Sequence, residues 1–188
     1  EVKVRSGSSI IHLVEDLPKP GSLPINALLA VGSVHQHLVK LGLRSDANII
    51  ITTSSARDTH QIACLIGFGA TAVYPTLAYQ TILDLTDRNE LKGDAHENCS
   101  RYRKGINKGL LKIISKMGIS TISSYRGSQL FEIVGLNKDV VDLCFTNTES
   151  RIKGKTLNDI EKELRSLNDY ARSNLTDMNV GGLLKYIH

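Results

Sequence analysis

The chain has 188 residues, enough for one domain with an appended arm, and its 41% of hydrophobic residues can fill a core. Its 23 basic and 19 acidic side chains leave a net charge of +4, a mildly basic balance that admits an anionic partner without demanding nucleic acid. Three cysteines at no metal-ligand spacing argue against a disulfide framework, and no apolar run is long enough to cross a membrane. A reducing cytoplasm or organelle interior is expected, not secretion. The opening Glu-Val-Lys has neither Met nor a signal pattern and reads as part of something longer.

In chain order, SIIHLV at 9–14 predicts a buried strand. Pro18, Pro20 and Pro24 mark a loop, and Pro24 suits the first turn of a helix. Along that helix Leu28, Val31, Val34 and Leu38 recur at helical spacing until Gly42 stops it. NIIITT at 48–53 is a second strand. Ser55 and Asp58 have capping-box spacing, so a helix is expected from there, apolar on Ile62, Ala63, Leu65 and Ile66 and ended by Gly67 and Gly69. TAVY at 71–74 is a third strand, and Pro75 opens a helix to about Leu85. Residues 87–100 are polar and aperiodic, which predicts a linker. Arg101 to Met117 is amphipathic, with Ile106, Leu110, Ile113 and Ile114 on one face, and Gly118 ends it. ISTISS at 119–124 reads as a fourth strand, 128–134 and 138–144 as short helices, and Gly154 as a loop. Thr156 can cap a helix from Leu157 to about Ala171, and the tail to His188 has no strong pattern.

Short strands alternating with helices imply an α/β fold: a small open parallel sheet of about four strands with flanking helices, plus a helical C-terminal arm. The expected division is strand–helix units over 1–93, a bridging part over 94–150, and the arm over 151–188.

The turn Thr53–Asp58 joins a strand end to a helix start, where backbone N–H groups favour anions. Ser54, Ser55 and Arg57 are candidate ligands there, against the plainer reading of a capped helix with an exposed arginine. His60, one turn on, is an acid or base candidate or simply structural. His35 and His37 are two apart on a helix, so they face different ways and cannot share an ion. Lys104, Lys108, Lys112 and Lys116 form a ridge at i, i+4 spacing. With Arg101 and Arg103 they make six cations in residues 101–116 and no carboxylate. Each like-charged pair costs about 0.2–0.5 kcal/mol, which an acidic partner would relieve; a solvated face is the alternative. No nucleophile triad, Walker loop or G-x-G-x-x-G after a strand is present. The Gly67-Phe68-Gly69 triplet ends a helix and does not begin one.

Four stretches resemble one family. They are LPINALLAVGSVHQHLVKLGLR (23–44), SARDTHQIACLIGFGATAVYPTLAYQTI (55–82), KGLLKIISKMGISTISSYRGSQLFEIVGL (108–136) and VVDLCFTNTESRIKGKTLNDIEKE (140–163), with Asn179-Val180-Gly181-Gly182 closing the match. They are similar to glutamate synthase large chains. That resemblance implies a whole enzyme that turns glutamine and 2-oxoglutarate into two glutamates, with reduced FMN and an iron–sulfur cluster. It also implies that this chain is the later part of the central domain and the bridge toward the FMN-binding barrel. Such a segment is a scaffold, not catalytic alone, whose partners are other domains of the same polypeptide. If FMN reaches it, the expected contacts are Met117, Gly118, Ile119, Ser120 and Thr121 or the side chain of Gln129, while Arg126 is an ion-pair anchor between domains. No metal and no cofactor is expected on this chain alone, and exposed interfaces predict self-association into a homo-oligomer. The alternative is an autonomous α/β domain that binds a phosphate- or carboxylate-bearing ligand at Thr53–Asp58. Two departures stand out: Thr52-Thr53-Ser54-Ser55 replaces an acidic, glycine-containing turn, and Gln36 replaces a histidine.

Overall fold

The computed structural model describes residues 1–15 and 22–173. Pro18, Pro20 and the expected tail features, including Gly181 and Gly182, lie outside them. A short helix α1 (Val2–Arg5) precedes strand β1 (Ile10–Val14). Helix α2 (Ala27–Lys40) is capped by the Asn26 side chain, which accepts from Leu28 N, so the helix begins three residues after Pro24. Strand β2 (Asn48–Thr53) follows as expected. Helix α3 (Thr59–Gly67) starts one turn later than the Ser55 spacing suggests. Asp58 is itself the cap: it accepts from Gln61 N at 2.8 Å, and the Gln61 amide oxygen accepts from the backbone N of Arg57 and Asp58.

Strand β3 (Ala72–Pro75) leads into α4 (Thr76–Asp87). Helix α5 (Ala95–Lys116) begins six residues before the expected Arg101. Asp94 caps it by accepting from Glu97 N, and Glu97 then pairs with Arg101 at 2.6 Å one turn on. Those polar contacts let a stretch without apolar periodicity fold as helix.

β1, β2 and β3 form a parallel sheet in sequence order. Right-handed crossovers that always step the same way put α2 and α3 on one face. The residues on that face (Ile11, Leu13, Ile49, Ile51, Val73) join one core with Val31, Leu38, Ile62, Leu65 and Ile114. The register places Ile10, His12 and Val14 beside Asn48, Ile50 and Thr52 on the opposite face, with Ala72 and Tyr74 next to them. There Ile10, Val14 and Tyr74 are 57%, 50% and 52% exposed.

Beyond α5 the structure departs from expectation. ISTISS is not a fourth strand: Thr121 accepts from Ser124 N and starts a one-turn helix, α6 (Ile122–Tyr125). Residues 128–134 are not a helix: strand β4 (Glu132–Leu136) occupies their end, followed by α7 (Lys138–Cys144). Gly154 lies inside strand β5 (Glu149–Lys155), which pairs in parallel with β4 as a separate two-stranded sheet. The expected single sheet of about four strands is thus three plus two. Gly154 makes the second sheet possible, because a Cβ there would collide with the Gly135 backbone. Thr156 caps α8 (Leu157–Arg172) in a capping box with Asp159.

Candidate functional site

The C-terminal half of α2, the end of α3 and the segments 127–131 and 146–148 enclose a cavity of about 270 Å³. Its lining includes His35, Gln36, Gln129, Phe131, Asn147 and Thr148, and no carboxylate among the described residues lines it.

The glycine triplet after α3 makes this approach possible. A Cβ on Gly67 would run into the Phe131 ring, and one on Gly69 would lie 2.6 Å from His35. Gly69 has φ +129, so a side chain there is also strained. Both carbonyls are used: Gly67 O accepts from Gly127 N at 2.8 Å, and Gly69 O accepts from Arg44 Nη2 at 2.9 Å.

Arg44 ties the site together. Its Nε donates to His35 Nδ1 at 2.9 Å, and its Nη1 donates to Ala47 O. Because the guanidinium always carries its protons, Nδ1 of His35 must be the acceptor and the ring proton must be on Nε2. Burial, then Arg44 and then Arg126 lower the His35 pKa to about 4, so the ring is neutral at physiological pH. Burial, followed by the charge of Arg126, also lowers the Arg44 pKa from its ordinary value. Arg126 has its Nε buried without a hydrogen-bond partner, as do Ser128 Oγ and Tyr125 OH, the last on a side chain only 1% exposed. Gln129 and Asn147, both on the cavity wall, have φ of +56 and +67. Such non-glycine left-handed residues cost roughly 1–3 kcal/mol each and gather where function constrains the chain.

The remaining candidates lie elsewhere. At the Thr53–Asp58 turn the donors are taken by the chain's own Glu15: its carboxylate accepts from Ser54 N and Ser54 Oγ, each at 2.9 Å, and from Thr53 Oγ1. Ser55 bonds Thr53. Arg57 is exposed, and its carbonyl accepts from Tyr102 OH. Ser55 and His60 share a separate cleft of about 230 Å³ with Cys64, whose Sγ is 3.7 Å from His60 Nε2. Burial, then Asp58, raises the Cys64 pKa, which keeps it a thiol. Lys104, Lys108, Lys112 and Lys116 are all exposed on α5, with no ion pair among the described residues. Met117–Thr121 follow that helix, and none of them reaches the cavity that Gln129 lines. Sequence reasoning said of His35 only that it cannot share an ion with His37, and passed over Arg44. The signal was a basic residue two positions past the Gly42 helix stop, where the returning chain brings it back against α2.

Residues 1–137 match the family profile described as glutamate synthase central domain. The chain belongs to that family. It is 42% identical over 163 residues to the glutamate synthase [NADPH] large chain of Bacillus subtilis. It is 43% identical over 175 residues to ferredoxin-dependent glutamate synthase 1, chloroplastic/mitochondrial, of Arabidopsis thaliana, and 34% over 174 to glutamate synthase [NADH] of Saccharomyces cerevisiae. These alignments cover 87%, 87% and 88% of this chain but only 11%, 11% and 8% of the relatives. The chain thus corresponds to one segment of much longer glutamate synthases. An iron–sulfur cluster does not fit it: Cys64, Cys99 and Cys144 lie on α3, α5 and α7, and among the described residues no three His, Cys, Asp or Glu side chains could share a metal. No helix among the described residues is long and apolar enough to cross a membrane.

Proposed function

We propose that this chain is an interdomain scaffold of a glutamate synthase that converts glutamine and 2-oxoglutarate into two glutamates, and that it is not catalytic alone. One observation carries the reading. A parallel sheet is almost always covered on both faces, yet here Ile10, Val14 and Tyr74 line an open, largely apolar face. A neighbouring domain of the same polypeptide is the natural cover, and the reading puts the segment in a cytoplasm or organelle interior. The division at 93 and 150 belongs to this proposal; β4 and β5 pair across the second boundary.

The test is Val14→Lys in the whole synthase. Val14 is half exposed, so the 188-residue chain should keep its melting temperature while assembly of the whole enzyme falls. Unchanged assembly and glutamate formation would refute the scaffold. The open face also favours self-association of the separate chain, which sedimentation velocity reads directly and Val14→Lys should reduce.

FMN, if it reaches this segment, would supply hydride transfer, with Gln129 or the backbone of Met117–Thr121 beside it. The Gln129 cavity, about 270 Å³, is below the roughly 300–1,000 Å³ of cofactor-sized pockets, so it would enclose at most one end of a flavin.

A second reading, an autonomous domain binding a phosphate or carboxylate at Ser54, Ser55, Arg57 and His60, draws support from Glu15: the turn already holds an oxyanion. Calorimetry of Glu15→Ala with inorganic phosphate tests it, and no heat eliminates it.

A further inference from the structure

We propose that the cavity between α2, the end of α3 and the 127–131 segment is a binding seat for a small anion, a carboxylate or phosphate group. Four observations converge. First, among the described residues the lining contains donors and no acceptor charge: His35, Gln36, Gln129, Asn147 and Thr148 line it without a carboxylate. Second, Arg44 Nε occupies His35 Nδ1, which leaves a neutral ring whose Nε2–H can only donate. A ring held this way presents a donor of fixed position, at no cost in charge. Third, the charge of Arg126 disfavours that of Arg44, and neither has an ion-pair partner among the described residues. Neither guanidinium is part of the lining, but Arg44 holds His35 on the wall and Arg126 directly precedes Gly127 on it, so an anion in the cavity would lie beside both charges and offset their repulsion. Fourth, Arg126 Nε is buried with nothing to accept its hydrogen. A buried, unpaired donor on a charged group is rare in a finished structure and points to a missing acceptor.

Size selects among anions. A cavity of about 270 Å³ takes a carboxylate or phosphate with a few attached atoms, not a nucleotide. The same chemistry has two sources: an Asp or Glu side chain from elsewhere in the synthase, or a free small anion. The contacts above stand whether or not the open sheet face is a docking surface, so this seat and the scaffold reading can fail separately.

The experiment titrates the 15N-labelled 188-residue chain with malonate and with inorganic phosphate, following the amides of Gly127, Gln129 and Thr148 and the ring of His35. Saturable shifts at these positions are expected, and Arg126→Gln should weaken binding about tenfold or more. Arg88→Gln removes a distant surface cation paired with Asp84 and should leave binding unchanged. The whole synthase carrying this segment supplies the second arm. If it also binds malonate or phosphate at this site, the occupant is a free anion. If it does not, while Arg126→Gln loosens its assembly, the occupant is a side chain of the same polypeptide. No saturable shift in the chain together with unaltered assembly of the Arg126→Gln synthase would overturn the proposal. So would binding that Arg88→Gln weakens as much as Arg126→Gln does.

Discussion

Replacing Arg44 by Met should destabilise the chain by about 2–3 kcal/mol. The guanidinium donates to His35 Nδ1, Ala47 O and Gly69 O, which belong to α2, to the approach to β2 and to the link between α3 and β3. Hydrogen bonds from a charged donor contribute about 1.5–3 kcal/mol each. Three such bonds would sum to more than single substitutions usually cost, and two effects bring the figure down. Arg44 is only part-buried, and removing it ends the repulsion with Arg126. Urea unfolding followed by circular dichroism reads the loss: with a slope of about 2 kcal/mol per M, the midpoint should fall by about 1 M or slightly more. His35 gives a second readout. Its pKa, held near 4 by burial and the two arginines, should rise toward 6.5 in Arg44→Met as one of those charges leaves. A midpoint change under about 0.3 M, or a His35 that titrates near 6.5 in the unsubstituted chain, would refute this account.

Other outcomes follow from the same geometry. Because the folded-state pKa of His35 is lowered, the unfolded chain binds the extra proton, and stability present above pH 6.5 is lost as pH falls toward 4. The full shift would be about 3 kcal/mol at about 1.4 kcal/mol per unit, and solvent screening of the part-exposed ring roughly halves it; denaturant midpoints at pH 7.5 and 4.5 measure the difference, and His35→Gln should flatten the profile. Gly32→Ala should cost about 2 kcal/mol or more in thermal melts, because the added methyl would meet the Cys144 carbonyl and push α7 off α2. Lys108→Glu with Lys112→Glu should leave the chain's stability within about 0.5 kcal/mol, since both are exposed, while weakening assembly of the whole synthase if the ridge faces acid.

Legibility in the sequence followed the range of the interactions. NIIITT could be read to the residue because β2 is the central strand and its apolar run is continuous. Helix α7 was expected over 138–144, and α8 was readable from its local cap at Thr156. The misreadings share a cause: their structure is set by a partner distant in sequence, or by polar caps that carry no apolar period. Residues 149–155, ESRIKGK, look like loop, and they become a strand because Gly154 lets the backbone close on Gly135. Residues 119–124 are β-prone, but Thr121 captures the next turn as a cap. The cavity was invisible for the same reason: its walls come from positions near 35, 67, 129 and 147, and only the fold brings them together.

The strand-end turn and the cavity beside Arg44 and Arg126 divide a role that open α/β folds usually give to one place. Ligands of such folds gather at the carboxyl ends of the strands, and Thr53–Asp58 is that position here. Glu15, one residue beyond β1, fills it with three hydrogen bonds, so an incoming anion must displace a tethered carboxylate. Positive charge that has no ion pair among the described residues lies instead toward the amino ends of the strands, at Arg44 before β2 and at Arg126 beside the end of α3. Fold analogy alone would therefore look at the wrong end of the sheet. The division makes the two places separable. Glu15→Ala should cost about 1–2 kcal/mol, because Ser54 loses its acceptor, and should expose a new phosphate response at the Ser54 and Ser55 amides. Arg126→Gln should leave that response intact while removing the one at Gly127 and Gln129. If both substitutions move the same set of amides, the chain has a single diffuse anion surface and the division is false.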